Sequence, residues 1–304
     1  MAALNTTDVS LPSNIVDGIV EKTKTGGTIA ALSGQEPMRF GDVSIVTFDD
    51  DLTAEFVEES TAKTEGAAAP SSVVATPHKA VVNFRTSDEF KIADEDYQLG
   101  ILDKFEEKCA RALARALDLG AYYRTNPRTG TAITAWTNYL NTTTNRVETT
   151  AASEPDLDFE TAAGLVISGG FSPTGVAFDP THAWTLSTAR YSDGRKKFPE
   201  LGLGVNVSGF EGLSASVSST VSGKARDGDA TNNNVKAIIG NYRQGIRWGV
   251  QRTFPFRMLE YGDPDNTGRD LAGHNEVLFR AEVIYAWYVF AEQFAVIENA
   301  VVDV

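Results

Sequence analysis

Residues 94–120 carry the clearest helical period in the chain, and the length of that helix constrains everything packed around it. Leu102, Phe105, Cys109, Ala112, Leu113 and Ala116 recur at spacings of three and four. Asp94, Glu95 and Asp96 fill the first turn, where carboxylates complement the helix dipole. Lys104, Lys108, Arg111 and Arg115 lie on the other side, and Gly120 is placed to end the helix. At 1.5 Å per residue the helix is about 40 Å long. In a chain of 304 residues that makes a spine with contacts on several sides, and Leu102, Phe105, Cys109 and Leu113 are its expected core.

The segments before it cannot form a core alone. Residues 1 to about 40 read as an arm, with a short stripe of Ile15, Val16, Ile19 and Val20 broken by Gly26-Gly27. Ser44 to Phe48 and Ala54 to Glu58 are strand candidates joined by the acidic turn Asp49-Asp50-Asp51. A polar, alanine-rich stretch from Thr61 to Pro70 follows. Extended character returns at Ser72 to Thr76 and at Ala80 to Thr86, where Ala80, Val82 and Phe84 alternate with Val81, Asn83 and Arg85. Two extended halves around a polar tip predict a long hairpin whose end packs on little of its own subunit.

Beyond the spine the pattern changes. Thr125 to Thr150 is threonine-rich, with turns and a short helix expected near Ala135 to Leu140. Helices are expected at 158–168, on a Phe159, Ala162, Ala163 and Val166 stripe, and at 181–191, capped by Thr181 or Asp179. Gly175 to Phe178 reads as a buried strand between them, and Gly194 to Lys197 as a basic turn. Together these make a compact α/β lobe. After a Gly/Ser/Asn-rich stretch at 202–234, strands are expected at 236–242, 245–250 and 256–261. The turn cluster at 263–268 follows. A long strand then sets Phe279, Ala281, Val283, Tyr285 and Trp287 on one face.

Sites of chemistry are sparse. His78, His182 and His274 lie far apart, in no metal-ligand spacing. No Gly-x-Ser-x-Gly elbow exists, Gly202-Leu203-Gly204 lacks the third glycine of a nucleotide loop, and Gly223-Lys224 is followed by Ala225. Asp49-Asp50-Asp51 lacks the spaced ligands of a calcium loop. The single cysteine, Cys109, allows no internal disulfide and is expected buried. No catalytic, cofactor or metal residues are assigned. Glu55, Glu58, Glu59, Lys63 and Glu65 in the loop, and Arg195, Lys196 and Lys197 in the basic turn, are the candidates for contact between subunits. A net charge of −14 repels nucleic acid at long range, which argues against sequence-specific DNA binding. No apolar run approaches a membrane span.

In order, these pieces resemble the Hong Kong 97 fold of tailed-bacteriophage major capsid proteins. The strand Pro77-His78-Lys79-Ala80-Val81-Val82-Asn83-Phe84-Arg85, running into Ser87-Asp88-Glu89 and an acidic-start helix, is similar to elements of that family. So is the close from Arg280-Ala281-Glu282-Val283 to Phe294-Ala295-Val296-Ile297. The resemblance implies an α+β subunit with an N-terminal arm at 1–42 and an extended loop at 43–77. It further implies a peripheral domain at 78–150 and 236–304, containing the spine helix 94–120, and an axial domain at 151–235.

The implied function is a structural shell protein, not an enzyme. It would assemble into hexamers and pentamers around double-stranded DNA, in a virion built in the bacterial cytoplasm. Implied partners are a separate scaffold protein, a portal and a decoration protein, with no membrane. Some relatives join a loop lysine to an asparagine. Lys63 holds the corresponding position, with no partner asparagine or assisting glutamate assignable. The rivals are a tail or decoration protein, richer in strand and lacking the spine, and an enzyme with carboxylates clustered in a pocket.

Overall fold

The computed structural model describes residues 27–48, 54–59, 63, 70–91, 95–150, 154–204, 207–226, 228–229 and 233–300. The acidic turn 49–51 and most of the arm lie outside them.

The spine is helix α2, Glu95–Tyr123, which follows the short α1, Thr28–Leu32. It continues three residues past the expected stop. A Cβ on Gly120 would lie 2.8 Å from Trp287 Cη2, so this glycine makes room for an indole and does not end the helix. The stop is Arg124, in the left-handed region at φ 51°, with its N–H on the Gly120 carbonyl at 2.9 Å. Phe105, Cys109 and Leu113 are buried as expected, while the side chain of Leu102 is outside those described. Burial pushes the Cys109 thiol up to about 12 and keeps it protonated. Arg115, expected on the open side, is buried and donates to the Ala225 carbonyl at 2.9 Å, because the 3-10 turn Ser219–Ser222 and the residues after it cover that face.

One sheet packs on the spine. It has the order β1-β2-β9-β8, from β1 Val43–Phe48, β2 Pro70–Ser87, β8 Ile246–Leu259 and β9 Glu276–Val289. The two expected strands at 72–76 and 80–86 are one strand of 18 residues. Its first six residues pair with β1 and the rest with β9. Pro77, which has no N–H to give, stands just past that changeover. The candidates at 245–250 and 256–261 also merge, into β8, with register shifts at Val250/Arg252 and Phe254/Arg257. Val277, Phe279, Ala281, Val283, Tyr285, Trp287 and Val289 of β9 face the spine, with the Phe279 ring 5.9 Å from Phe105. Ala54 to Glu58 forms no strand. The helix expected near Ala135 is reduced to the 3-10 turn Leu140–Thr142.

The second sheet has the order β3-β10-β7-β4-β6-β5. Its strands are β3 Arg146–Thr149, β4 Gly175–Phe178, β5 Gly209–Phe210, β6 Leu213–Val217, β7 Val235–Gly240 and β10 Phe294–Asn299. Helices α3, Pro155–Ser168, and α4, Pro180–Thr188, cover one side. Asp179 caps α4, as expected, accepting from Thr181 N at 2.9 Å. The sheet is a wall between two cores. Ile238, Phe294 and Val296 point to the spine cluster, and Ala237, Ile239, Ala295 and Ile297 to a cluster with Phe159, Val166 and Phe210. That is strand periodicity applied to both faces of one sheet. Strands β3, β7 and β10 therefore complete the lobe's sheet from outside 151–235.

Residues 27–42, expected to need another surface, find it on their own subunit. Asp118 is fully buried on the spine and accepts from Thr28 N at 2.9 Å, Thr28 Oγ1 at 2.8 Å, Ile29 N at 3.1 Å and Thr220 Oγ1 at 2.7 Å. It thus caps the start of α1 from another helix and ties the Ser219–Ser222 turn to both. Burial raises its pKa, and these four hydrogen bonds offset part of the rise. Glu36 N then donates to the Trp248 carbonyl at 2.9 Å, and Gln251 Nε2 to the Gly41 carbonyl at 2.6 Å, laying the segment along β8. A Cβ at Gly249 would collide with the Glu36 carbonyl, so only glycine lets the two backbones approach. Among the described residues no helix is long and apolar enough to cross a membrane.

Replacing Asp118 with alanine strands the buried N–H groups of Thr28 and Ile29 and removes one partner from the hydroxyls of Thr28 and Thr220. Asp118→Ala is expected to lower unfolding free energy by about 2–4 kcal/mol in urea titration. Limited proteolysis should then cut first around residues 27–42.

Candidate intersubunit surface

Residues 43–48 and 70–75 pair with each other from Val43↔Ala75 to Phe48↔Pro70. Opposed residues share a face, so Ser44, Val46, Ser72 and Val74 line one side of the ribbon. All four are exposed, Val46 at 65% and Val74 at 45%. The other side, with Val43, Ile45 and Val73, is only half-buried. Of the residues whose burial is described on these two stretches, only Ala75 is buried. A two-stranded ribbon gains little from its own hydrogen bonds and needs a packed face to be stable.

At the far end every residue from Ala54 to Glu59 is exposed, and Phe56 is fully so. A phenylalanine held in water between Glu55 and Glu58 contributes nothing to this subunit's own stability. Lys63 is exposed too, and Glu65 lies outside the described residues. The loop candidates named from sequence are thus together on one appendage, apart from Glu65. What sequence reasoning passed over are its apolar members, Val46, Phe56, Val57 and Val74; the usable signal was apolar residues in a segment too polar to form a core of its own.

The basic turn is less uniform. Arg195 is 80% exposed and pairs with Asp193 at 2.6 Å. Lys196 Nζ donates to the Gly202 carbonyl at 2.7 Å. Lys197 is only 16% exposed and holds Glu154 at 2.8 Å and Asp156 at 3.2 Å, at the start of α3. Those two carboxylates raise its pKa. Around the lobe Leu157, Ile167, Trp184, Tyr191 and Leu203 are more than half or half exposed, a second apolar surface.

A cleft of about 420 Å³ opens between α3, α4 and β7, lined by Asp158, Asp179, His182, Ser222 and Lys236 among others. Its polar groups are engaged structurally. Ser222 Oγ donates to Asp179 Oδ2 at 2.5 Å, while the same carboxylate caps α4. Lys236 Nζ donates to Thr149 Oγ1 at 2.6 Å. Burial raises the Asp158 pKa and lowers that of Lys236, each partly offset by the other's charge. A serine whose hydrogen bond goes to a capping carboxylate is not presented to a base. Among the described residues no group of three or more His, Cys, Asp or Glu side chains is arranged to hold a metal ion.

Two histidines are enclosed. His78 lies between Trp136 and Trp287, each ring centroid 4.1 Å away, and His182 stands beside Phe178. Burial lowers both from 6.5 to about 4; for His182 the Lys236 charge adds to the effect and Asp179 opposes it. The unfolded chain therefore binds protons at these sites first. Their contribution to stability is complete above pH 6.5 and is lost as pH falls toward 4. Urea midpoints are expected to decline over that window, and His78→Phe should flatten part of the slope; an unchanged slope would contradict the buried neutral ring.

No family model and no curated protein matches the chain. Solved structures do. A chain from Mycobacterium phage Ogopogo is 39% identical, over 90% of this chain and 92% of that one, with a TM-score of 0.79. One from Gordonia phage Cozz is 29% identical, over 90% and 86%, with a TM-score of 0.74. The capsid of an empty GTA particle, at 16% identity and TM-score 0.60 over 90% of each chain, shares the fold.

Proposed function

Because the chain belongs to the major capsid proteins of tailed bacteriophages, we propose that it is the subunit of an icosahedral shell of the Hong Kong 97 type, built from hexamers and pentamers and enclosing double-stranded DNA. The observation that carries this reading is the ribbon: a hairpin with one face exposed, the other only half-buried, and Phe56 in water gains stability from a neighbour. Burying a valine or phenylalanine contributes roughly 1.5–3 kcal/mol, part of which offsets the entropy of association. Head-to-tail contacts around a ring repeat that gain at every subunit and close without a second kind of protein.

The sheets support a division into a peripheral domain around the spine and the β1-β2-β9-β8 sheet, and an axial domain around the six-stranded sheet. In this assignment the axial domain comprises 151–235 together with β3, β7 and β10. Residues 43–77 are the extended loop, and 1–42 the arm, whose root at 27–42 is fixed on the subunit. The role is structural and not enzymatic. With a net charge of −14 the wall does not attract DNA, and the genome is held by confinement. Assembly takes place in the host cytoplasm, with a separate scaffold protein, a portal and a decoration protein as partners.

Phe56→Glu, and separately deletion of residues 61–69, are expected to leave the subunit's circular dichroism and melting temperature unchanged. Shells should disappear from negative-stain images of both. Normal shells from both variants, or an unfolded subunit, would overturn the assignment of the loop.

A further inference from the structure

The four-stranded sheet ends at β8 on one side and at β1 on the other, and the two edges are built differently. A strand edge presents main-chain donors and acceptors, so it is a template for a further chain unless it is blunted. The β8 edge is blunted. Residues 35 and 36 lie along its start, with Glu36 N donating to the Trp248 carbonyl at 2.9 Å. Farther on, β8 carries Pro255, register shifts at Val250/Arg252 and Phe254/Arg257, and the exposed Arg252 and Arg257. The β1 edge has none of these devices. Val43-Ser44-Ile45-Val46-Thr47-Phe48 includes no proline, glycine or charged residue, and its pairing with β2 runs unshifted from Val43↔Ala75 to Phe48↔Pro70. Among the described residues no strand lies on its other side.

The chain also carries a strand that fits this edge. Ala54 to Glu58 includes Phe56 and Val57, residues that favour strands, yet it forms none here and is exposed throughout. Alternation sets Ala54, Phe56 and Glu58 on one face. Placed beside β1 in antiparallel register, with Phe56 opposite Val46, that face continues the exposed one of Ser44, Val46, Ser72 and Val74. Phe56 and Val46, both left in water by the subunit, then cover each other as a cross-strand pair. The same register sets Glu58 opposite Ser44 and runs Glu59 toward the exposed Arg39, which precedes β1. Within one chain only residues 49–53 would join the two strands. Three of them are aspartates, which crowds like charge into the turn.

We infer that the outer edge of β1 accepts residues 54–58 of a second copy of this chain as an added antiparallel strand, so that the ribbon becomes three-stranded in the assembly. This rests on the shell reading and gives the ribbon its partner. Strand addition draws affinity from main-chain hydrogen bonds and specificity from alternate side chains, here Phe56 against the exposed valines. Each copy gives one segment and receives one, a head-to-tail relation that closes a ring. Glu55, Glu58 and Glu59 make the added strand a poor template in its turn, so addition stops at one.

The full chain carrying both Ser44→Cys and Glu58→Cys tests this in shells. Opposed positions of an antiparallel pair hold their Cβ atoms about 4.5–5.5 Å apart, within reach of a disulfide after a small adjustment. The buried Cys109 stays out of the reaction. Shells assembled in reductant and then mildly oxidised are expected to give covalent multimers on non-reducing gels, while neither single variant does. A monomer with an internal disulfide, or intact shells without multimers, overturns the inference and leaves the shell reading in place. If the double variant does not assemble, wild-type shells decide. Amides of residues 55–58 should then exchange roughly tenfold or more slowly in shells than in free subunits, and equal exchange overturns the inference. A wild type that builds no shells overturns the shell reading itself, and this inference with it.

Discussion

A pair of strands cannot cover its own faces, and that constraint governs how this subunit is built. Residues 43–48 and 70–75 pair with each other, and among the described residues no third strand joins them. The continuation of β2 beyond Thr76 is, by contrast, embedded beside β9 and over the spine helix. One strand is therefore core along two thirds of its length and appendage along the rest. The appendage is held in position by the core without being stabilised by it, which suits an element meant for another copy.

For that to work the core must be complete without the appendage. Two features make it so. The six-stranded sheet is buried on both faces, so the spine cluster and the lobe cluster share one wall. Asp118 then joins three separate stretches of sequence, at Thr28, on the spine and at Thr220, through one carboxylate. A buried polar group is costly unless hydrogen-bonded, and here each carboxyl oxygen is occupied. Arg85, near the end of β2, does the same with opposite charge, donating to Asp263, Asp265 and Glu276 of the connection from β8 to β9.

Much of this was legible in the sequence. Spine, hairpin, lobe helices and the inward face of β9 follow from periodicity and turn residues, because burial of one face is a local pattern. The ties between segments are not local. Asp118, between Leu117 and Leu119, gives its role away only when α1 and the Ser219–Ser222 turn are seen beside it. Gly120 looks like a helix stop until Trp287, more than 160 residues later, fills its place. Arg85 alternates with apolar neighbours as a solvent-facing residue would, and the turn at 263–268 reads as a turn. The unburied valines and Phe56 carry no local signal of their own, because an exposed apolar residue reads like a core one until the fold shows what lies beside it.

The most direct measurement is hydrogen–deuterium exchange at the amides of residues 43–48 and 71–75, in free subunits and in assembled shells. The account requires fast exchange in the free subunit and strong protection in the shell, while amides of β9 are slow in both. Protection already present in the free subunit, or fast exchange persisting in the shell, would contradict it.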